Sequence, residues 1–421
     1  MFLIQKFLRV MTSVLWILFD GGGDRPREGT TPFFAALKPV IDSLASYGSC
    51  GMMDPIAPGI RPGSDTAHLA LFGYDPYKYY TGRGAFEALG AGVDLKPGDV
   101  AFRTNLATVD ERGIVVDRRA GRYISPEEAQ EVEGLMAKIG EEIERKYGVS
   151  ILYKSTVEHR GVLVLRGAVS HRVSDTDPHK VGEAIKPSAP LDGDERAKVT
   201  AEVINEITAR FRSLSKELEA NKRRGSKGEP LINAILVRGG GYMPSIESIH
   251  DKYKIRAAAV AGVALIRGVA KAVGMDVYTA EGLVGTKFDK FDEAVKLAVQ
   301  LMKRYDLVFL HVKGTDSASH DGDFRGKVDV VERLDAALRP YEAVLRENYV
   351  VVTSDHATPV SVREHTGEPV PVLLYGPDVI RDDVTKFSEL TCWRGALGRI
   401  KGIDITPILA SYLGLSEKFG E

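Results

Sequence analysis

Three aspartates and three histidines stand where short apolar runs break into polar sequence. Asp20 closes the run in LFDGGGDR, Asp316 and His320 follow one in LVFLHVKGTDSASHDGD, Asp355 and His356 follow another in VVVTSDHATP, and His365 comes soon after in REHTGEP. Each alone is weak, since an aspartate at a strand end is commonly a turn former, and Asp316 and His320 share a face only if their segment turns helical. Together they form an inventory of carboxylate oxygen and imidazole nitrogen without thiolate. That suits Mn2+, Zn2+, Co2+ or Mg2+ rather than an iron–sulfur or copper centre. Six such ligands and a hydroxyl could serve two ions, and two metals can clamp a phosphoryl group and lower the pKa of an attacking hydroxyl. Ser64, in RPGSDTAHLALFGYDP, is the hydroxyl candidate. Its simpler reading is an N-cap, since Pro62-Gly63 is turn chemistry ahead of an apolar run that Gly73 stops. A helix N-terminus also favours an anion such as phosphate, so on local sequence both roles stay open.

Residues so scattered need a scaffold that gathers them. The runs SVLWILF, DLVFLHV, YVVVTS and VPVLLYG are continuously apolar and rich in β-branched residues, which predicts strands buried on both faces of a mostly parallel sheet. In such open α/β sheets ligands collect at the carboxyl ends of the strands. KFDEAVKLAVQLMKRY and GKVDVVERLDAALRPYEAVLRE read as covering helices. The middle of the chain has a different order. SPEEAQEVEGLMAKIGEEIERKYG opens with a capping box, Ser125 with Glu128, and Pro126 in the first helical position. DERAKVTAEVINEITARFRSLSKELEANKRRGSKG reads as another long amphipathic helix ending in a solvated basic loop, and GVLVLRG and NAILVRGGG as flanking strands. An inserted domain is therefore expected over 83–274, dividing the other into 1–82 and 275–421. GGGDR lacks the pattern of a dinucleotide loop, and LVRGGGYMP lacks the Gly-Lys-Ser/Thr of a P-loop. His68 reads as a helix-face residue, and His159, His171, His179, His250 and His311 as structural or surface residues.

Composition removes several function classes. In 421 residues, 44% are hydrophobic and the net charge is -2, so bulk charge argues for neither nucleic-acid nor membrane binding. The two cysteines, Cys50 and Cys392, make no disulfide framework or metal pair by spacing, which suits a reducing compartment. Lys6 and Arg9 interrupt the apolar N-terminal run, and no stretch nears the ~20 residues needed to span a bilayer. A cytoplasmic location is expected, with residues 1–10 read as an extension ahead of an alternative start at Met11.

The stretches FDGGGDRP, GSDTAHLALFGYDP, FRTNLATVD, VDRRAGR, VLVLRG, SDTDPH, HVKGTDSASHDGD and SDHATP, in that order across most of the chain, resemble the archaeal type of cofactor-independent phosphoglycerate mutase, a branch of the alkaline phosphatase superfamily. The resemblance implies an alkaline-phosphatase-like, doubly wound, mostly parallel sheet interrupted by a smaller inserted α/β domain that binds substrate. It makes Ser64 the phosphorylated nucleophile, with Asp316, His320 and His365 at one metal and Asp20, Ser64, Asp355 and His356 at the other. Matching motifs in the insert point to Asp117, Arg118, Arg166, Asp175, Asp177 and Arg238 on the substrate side, with Asp175 or Asp177 as general acid or base. The implied reaction interconverts 3-phosphoglycerate and 2-phosphoglycerate in glycolysis and gluconeogenesis. It uses two divalent ions, Mn2+ first with Co2+, Zn2+ or Mg2+ as alternatives, and no 2,3-bisphosphoglycerate. The expected partner is the small-molecule phosphoglycerate. Gly22 departs from the common Asp-Gly-Met-Gly-Asp motif, and VGTKFDKFDE leaves the role of Lys287 open. A phosphomonoesterase or another phosphomutase on the same metal core is the competing enzyme, and a non-catalytic metal-binding sensor the competing class.

Overall fold

Every side chain of Val14–Phe19 is apolar and buried, and a strand with two apolar faces needs cover on both. The computed structural model describes residues 12–418 and 420, so the proposed extension over residues 1–10 lies outside the described residues. Thirteen strands form among those described. β1 (Val14–Phe19) and β2 (Ser49–Asp54) come first, followed by β3 (Val100–Val109), β4 (Val115–Asp117), β5 (Ser150–Ser155), β6 (Arg160–Arg166) and β7 (Ala234–Tyr242). β8 (Ala257–Val260), β9 (Asp276–Tyr278), β10 (Leu307–Val312), β11 (Tyr349–Ser354), β12 (Val370–Tyr375) and β13 (Gly398–Lys401) complete the set. The chain divides into two compact units, one up to Tyr80 and from Ile246 onward, the other Thr81–Ser245.

The first unit is built on an eight-stranded sheet of order β13-β2-β12-β11-β1-β10-β8-β9. All neighbours are parallel except the two pairings of β12. Leu15, Ile17 and Phe19 share one apolar cluster with Val40 and Ile41 of the helix Pro39–Ser46, Ala294 of Asp292–Leu301 and Val330 of Phe324–Leu338. Trp16 points the other way and meets Phe72, at the end of the helix Ser64–Leu71, edge-on at 6.1 Å. Helices therefore cover both faces, the doubly wound arrangement. Pro340 breaks GKVDVVERLDAALRPYEAVLRE into Phe324–Leu338, a single tight turn and Glu342–Arg346, because proline has no N–H to continue the ladder. Among the described residues no helix is long and apolar enough to cross a membrane.

In the second unit the sheet is antiparallel, with β3 paired to β4, β6 and β7, and β5 to β6. The helix Pro126–Tyr147 begins with the expected capping box and ends at Gly148, whose φ of 64° suits glycine. It packs Val132, Met136, Ile139 and Ile143 with Ile204, Ile207 and Phe211 of the helix Glu195–Leu214 over Phe102 and Leu163. The expected helix ends at Leu214, and the basic stretch read as a solvated loop instead forms a second helix with Arg224 buried. The Asn221 amide donates to the carbonyls of Ser215 and Ile232, fixing a turn before a separate helix Glu219–Lys227. The boundary expected near Gly274 also falls too late. β8 runs parallel beside β10 and β9 beside β8, so residues 246–274 belong to the first unit. The alanine-rich sequence of β8 hides a buried strand, because alanine carries little strand signal.

Candidate active site

β1 lies between β11 and β10, with Phe19 in register with both Ser354 and Val312. The residue following each strand is then Asp355, Asp20 and Lys313, so three charged side chains leave the sheet at one level. Asp316 sits in the first turn of the helix Gly314–Asp321 after β10, with His320 one turn later. His356 follows Asp355, and His365 lies in the segment between β11 and β12. Ser64 is the first residue of its helix and Gly63 is the N-cap. The cap role is therefore filled by a residue without a side chain, and the Ser64 Oγ instead lies 3.3 Å from His356 Nε2.

Ligand atoms of Asp20, Asp355 and His356 lie within 4.8 Å of one another, and so do those of Asp316, His356 and His365. His320 Nε2 stands 3.4 Å from Asp316 Oδ1 but outside that second group. The structure thus places His356 at both groups, where the resemblance divided the ligands with His320 beside Asp316 and His365. The three imidazoles are oriented alike. His320 Nδ1 faces the Arg363 carbonyl at 2.8 Å and His365 Nδ1 the Pro62 carbonyl at 2.9 Å. A carbonyl only accepts, so in the neutral ring Nδ1 carries the proton and Nε2 the lone pair. His356 Nδ1 meets the Thr358 hydroxyl at 3.0 Å, and that hydroxyl donates onward to Asp316 Oδ1. Such outer partners characteristically orient metal-ligating histidines.

Electrostatics separates the carboxylates. Burial pushes the Asp20 carboxyl up, but Lys313 and a 2.8 Å hydrogen bond with His311 prevail and hold it well below the usual range. Burial and the neighbouring Asp20 push Asp355 well above it. Burial lowers His356 to about 3, so this ring is neutral at physiological pH. Asp355 Oδ2 is buried without a hydrogen-bond partner. A buried acceptor left in that state is costly, and with oxygen and nitrogen donors around it the set fits divalent cations.

Sequence reasoning did not single out several residues here. Lys313 reaches Asp20 Oδ1 at 2.9 Å and Asp316 Oδ2 at 2.6 Å; its position directly after an apolar run was a usable signal. His68 Nδ1 donates to the Ser64 carbonyl at 2.6 Å, more than a helix-face role. Lys327, fully buried, donates to the Gly23 carbonyl, Asp24 Oδ2 and the Thr358 carbonyl at 2.9–3.1 Å. That ammonium ties the segment after β1 to the segment after β11. Gly22 has a local reason, since a Cβ there would lie 2.4 Å from Ser354 Oγ. Lys287 pairs with Asp321 and Asp323.

Within the second unit, Arg118 grips the buried Asp177 through two hydrogen bonds of 3.2 and 2.7 Å, and Arg238 Nε lies 3.6 Å from the same carboxylate. Asp175 accepts from the Gly239 N–H and faces His179 at 3.4 Å. Burial raises Asp177, but Arg118 and the His179 N–H hold it below the usual carboxylate range. Arg103, paired across the strands with Arg238, faces Glu87 at 3.6 Å. The Nε atoms of Arg103 and Arg238 have no hydrogen-bond partner. Two expected substrate-side residues are engaged differently. Asp117 accepts from the Arg119 and Gly121 N–H groups and shapes a turn, while Arg166 pairs bidentately with Asp99.

The family model described as 2,3-bisphosphoglycerate-independent phosphoglycerate mutase matches residues 45–221. The enzyme of that name from Pyrobaculum neutrophilum is 76% identical over 98% of this chain and 100% of its own length. The chain belongs to this family. A solved protein of Pyrococcus horikoshii is 37% identical with a TM-score of 0.82, covering 97% of this chain and 99% of that one. The cofactor-independent phosphoglycerate mutase of Thermoplasma acidophilum is 35% identical with a TM-score of 0.69, covering 96% and 100%. The family's fold thus extends over both units.

Proposed function

We propose that this chain interconverts 3-phosphoglycerate and 2-phosphoglycerate through a phosphoserine at Ser64, beside a site for two divalent cations. Membership of the mutase family makes it an isomerase acting on phosphoglycerates. The observation that carries the finer reading is the convergence of imidazole lone pairs and buried carboxylates around a serine hydroxyl at a helix N-terminus.

Asp20, Ser64, Asp355 and His356 would hold one cation and Asp316 and His365 the other, with His356 between them and His320 Nε2 completing the Asp316 side. When bound, the ions, Mn2+ above all, supply Lewis acidity that favours the Ser64 alkoxide and offsets phosphoryl charge. The chain supplies the rest. Ser64 Oγ, its proton released to solvent, attacks phosphorus in line, and the glycerate oxygen leaves with its electron pair and takes up a proton. Backbone N–H groups at the start of the Ser64 helix and the Lys313 ammonium stabilise charge on the transferring oxygens. The other glycerate hydroxyl then attacks phosphoserine, restoring Ser64. Asp177 is committed to Arg118, so Asp175, exposed enough to exchange protons and next to His179, is the better carrier for the hydroxyl protons. Arg118 and Arg238 would bind the anionic glycerate through charge-assisted hydrogen bonds. Transfer back to glycerate needs no 2,3-bisphosphoglycerate.

The test follows 3-phosphoglycerate conversion and free phosphate together, with Mn2+ and after chelation, and acid-quenches a parallel sample for peptide mass spectrometry. Expected are 2-phosphoglycerate in large excess over free phosphate, loss of activity on chelation with recovery on Mn2+ or Co2+, and phosphate on Ser64. Predominant phosphate release would make the protein a phosphomonoesterase. Full activity after exhaustive chelation would overturn the two-cation site.

A further inference from the structure

The chain has only two cysteines, at positions 50 and 392, and their distance in sequence argues for no relation. The fold brings them together. Cys50 lies in β2 and Cys392 ends the short helix Glu389–Cys392, which packs on that strand. Both are fully buried in the same apolar cluster. The backbone around them is fitted closely. The Gly395 N–H donates to the Cys392 carbonyl at 3.0 Å, and the Leu397 N–H donates to the Cys50 carbonyl at 3.0 Å. Gly395 lies so close that a Cβ there would come 2.0 Å from the Cys50 carbonyl oxygen. The Asp382 carboxylate accepts from both the Cys50 and Ala396 N–H groups, at 2.7 and 2.9 Å. These contacts hold the turn after Cys392 against Cys50, and the Cys392 thiol is the foremost influence on that of Cys50.

We propose that Cys50 and Cys392 are the partners of an intrachain disulfide that forms when the protein meets a low-molecular-weight disulfide. The chemistry is thiol–disulfide exchange. A thiolate of one cysteine attacks the small disulfide and expels one small thiolate, and the second cysteine displaces the other from the mixed disulfide. Each cysteine loses a proton, and the two electrons end on the two small thiols. Contact with Cys392, then burial, raises the Cys50 thiol well above its usual range. Thiolate is therefore scarce in the folded reduced protein, and formation requires local opening around the Glu389–Cys392 helix. The same burial protects the finished bond from reductants. Because the link joins residues so far apart, it closes a very long loop and restricts the unfolded chain strongly.

The full chain is held just below its melting temperature in buffers of reduced and oxidised glutathione, then quenched in acid, denatured, alkylated and weighed. In oxidising buffer the expected product has no alkyl adduct, lacks two hydrogens and yields a peptide joining Cys50 to Cys392. Its Tm exceeds that of the reduced chain by several degrees, and reductant opens the bond only when denaturant is present. Cys392→Ser removes the resolving thiol, so its Cys50 should be alkylated after reducing buffer and should hold one glutathione, with no cross-linked peptide, after oxidising buffer. Alkylation of both cysteines after oxidising treatment would overturn the proposal, leaving two thiols that serve as small apolar core residues. Glutathione retained on both sulfurs, or a linked form with a lower Tm than the reduced chain, would overturn it equally.

Discussion

Asp355 and Asp177 are both buried aspartates, one in each unit, yet they meet opposite surroundings. Asp355 keeps an oxygen without a hydrogen-bond partner, and burial with the nearby Asp20 drives its pKa up. Asp177 is bracketed by Arg118, Arg238 and a backbone N–H, and is held below the usual range. The surplus polar atoms differ in kind as well. Beside Asp20 and His356 the surplus atom, Asp355 Oδ2, is an acceptor, whereas beside Asp177 the surplus Nε of Arg238, and that of its strand neighbour Arg103, are donors. Leftover acceptors call for cations and leftover donors for anions. In the proposed reaction the first surplus would meet cations and the second the carboxylate of the substrate.

The largest expected effect is on the acceptor side. Ser64→Ala should reduce mutase turnover about ten-thousandfold or more, as removal of a nucleophile does. The melting temperature should change little, since Gly63 occupies the cap position. Appreciable turnover in this variant, measured by coupled assay, would remove the serine from the chemistry. Next in size is Lys327→Met, which leaves the Asp24 carboxylate buried without its ion pair. Denaturant unfolding should show a loss of about 3–5 kcal/mol, together with weaker Mn2+ binding, because both ligand-bearing segments lose a common anchor. A loss of stability with unchanged Mn2+ affinity would restrict Lys327 to a structural part.

A third measurement tests burial in the first unit away from the ligands. Burial pushes the Glu389 carboxyl, which accepts from the Thr31 hydroxyl and the Asp24 N–H, up to about 7 from the ordinary 4.5. A raised acid favours the folded state while it is protonated. Its contribution is full below about 4.5 and is lost as pH rises through about 7. Glu389→Gln should therefore flatten the decline in stability between pH 5 and 8 by on the order of 2 kcal/mol. An identical pH slope in the variant would show that this carboxyl ionises freely. The smallest effect separates two arginines of the second unit. Arg238→Ala should raise KM by roughly tenfold or more, as loss of a charge-assisted hydrogen bond would. Arg166→Ala should leave KM alone and cost at most about 1 kcal/mol, because its pair with Asp99 is partly exposed. Equal KM effects would dissolve the distinction between them.

The legible parts of the sequence were those governed by local rules. Continuous apolar runs gave away β1, β10, β11 and β12, and the Ser125–Glu128 box marked its helix start. The Asp and His residues at strand ends were visible because residue type and position both pointed to ligands. What depends on distant partners was not. Arg166 and Arg118 look alike in sequence, and only Asp99 and Asp177 distinguish them. Lys327 resembles any helix lysine until Gly23, Asp24 and Thr358 surround it. Alanine-rich β8 became a strand through its place beside β10, which no local pattern records.

The first described strand made by the ribosome is also among the most deeply interior. β1 sits between β10 and β11, strands that lie nearly three hundred residues or more further along the chain. At about 5–20 residues per second of synthesis, the nascent VLWILF segment waits on the order of tens of seconds for either neighbour. Throughout that interval its apolar side chains and unpaired backbone are open to mispairing with other chains. Survival of the nascent protein therefore depends on whatever shields one hexapeptide until β10 has been made.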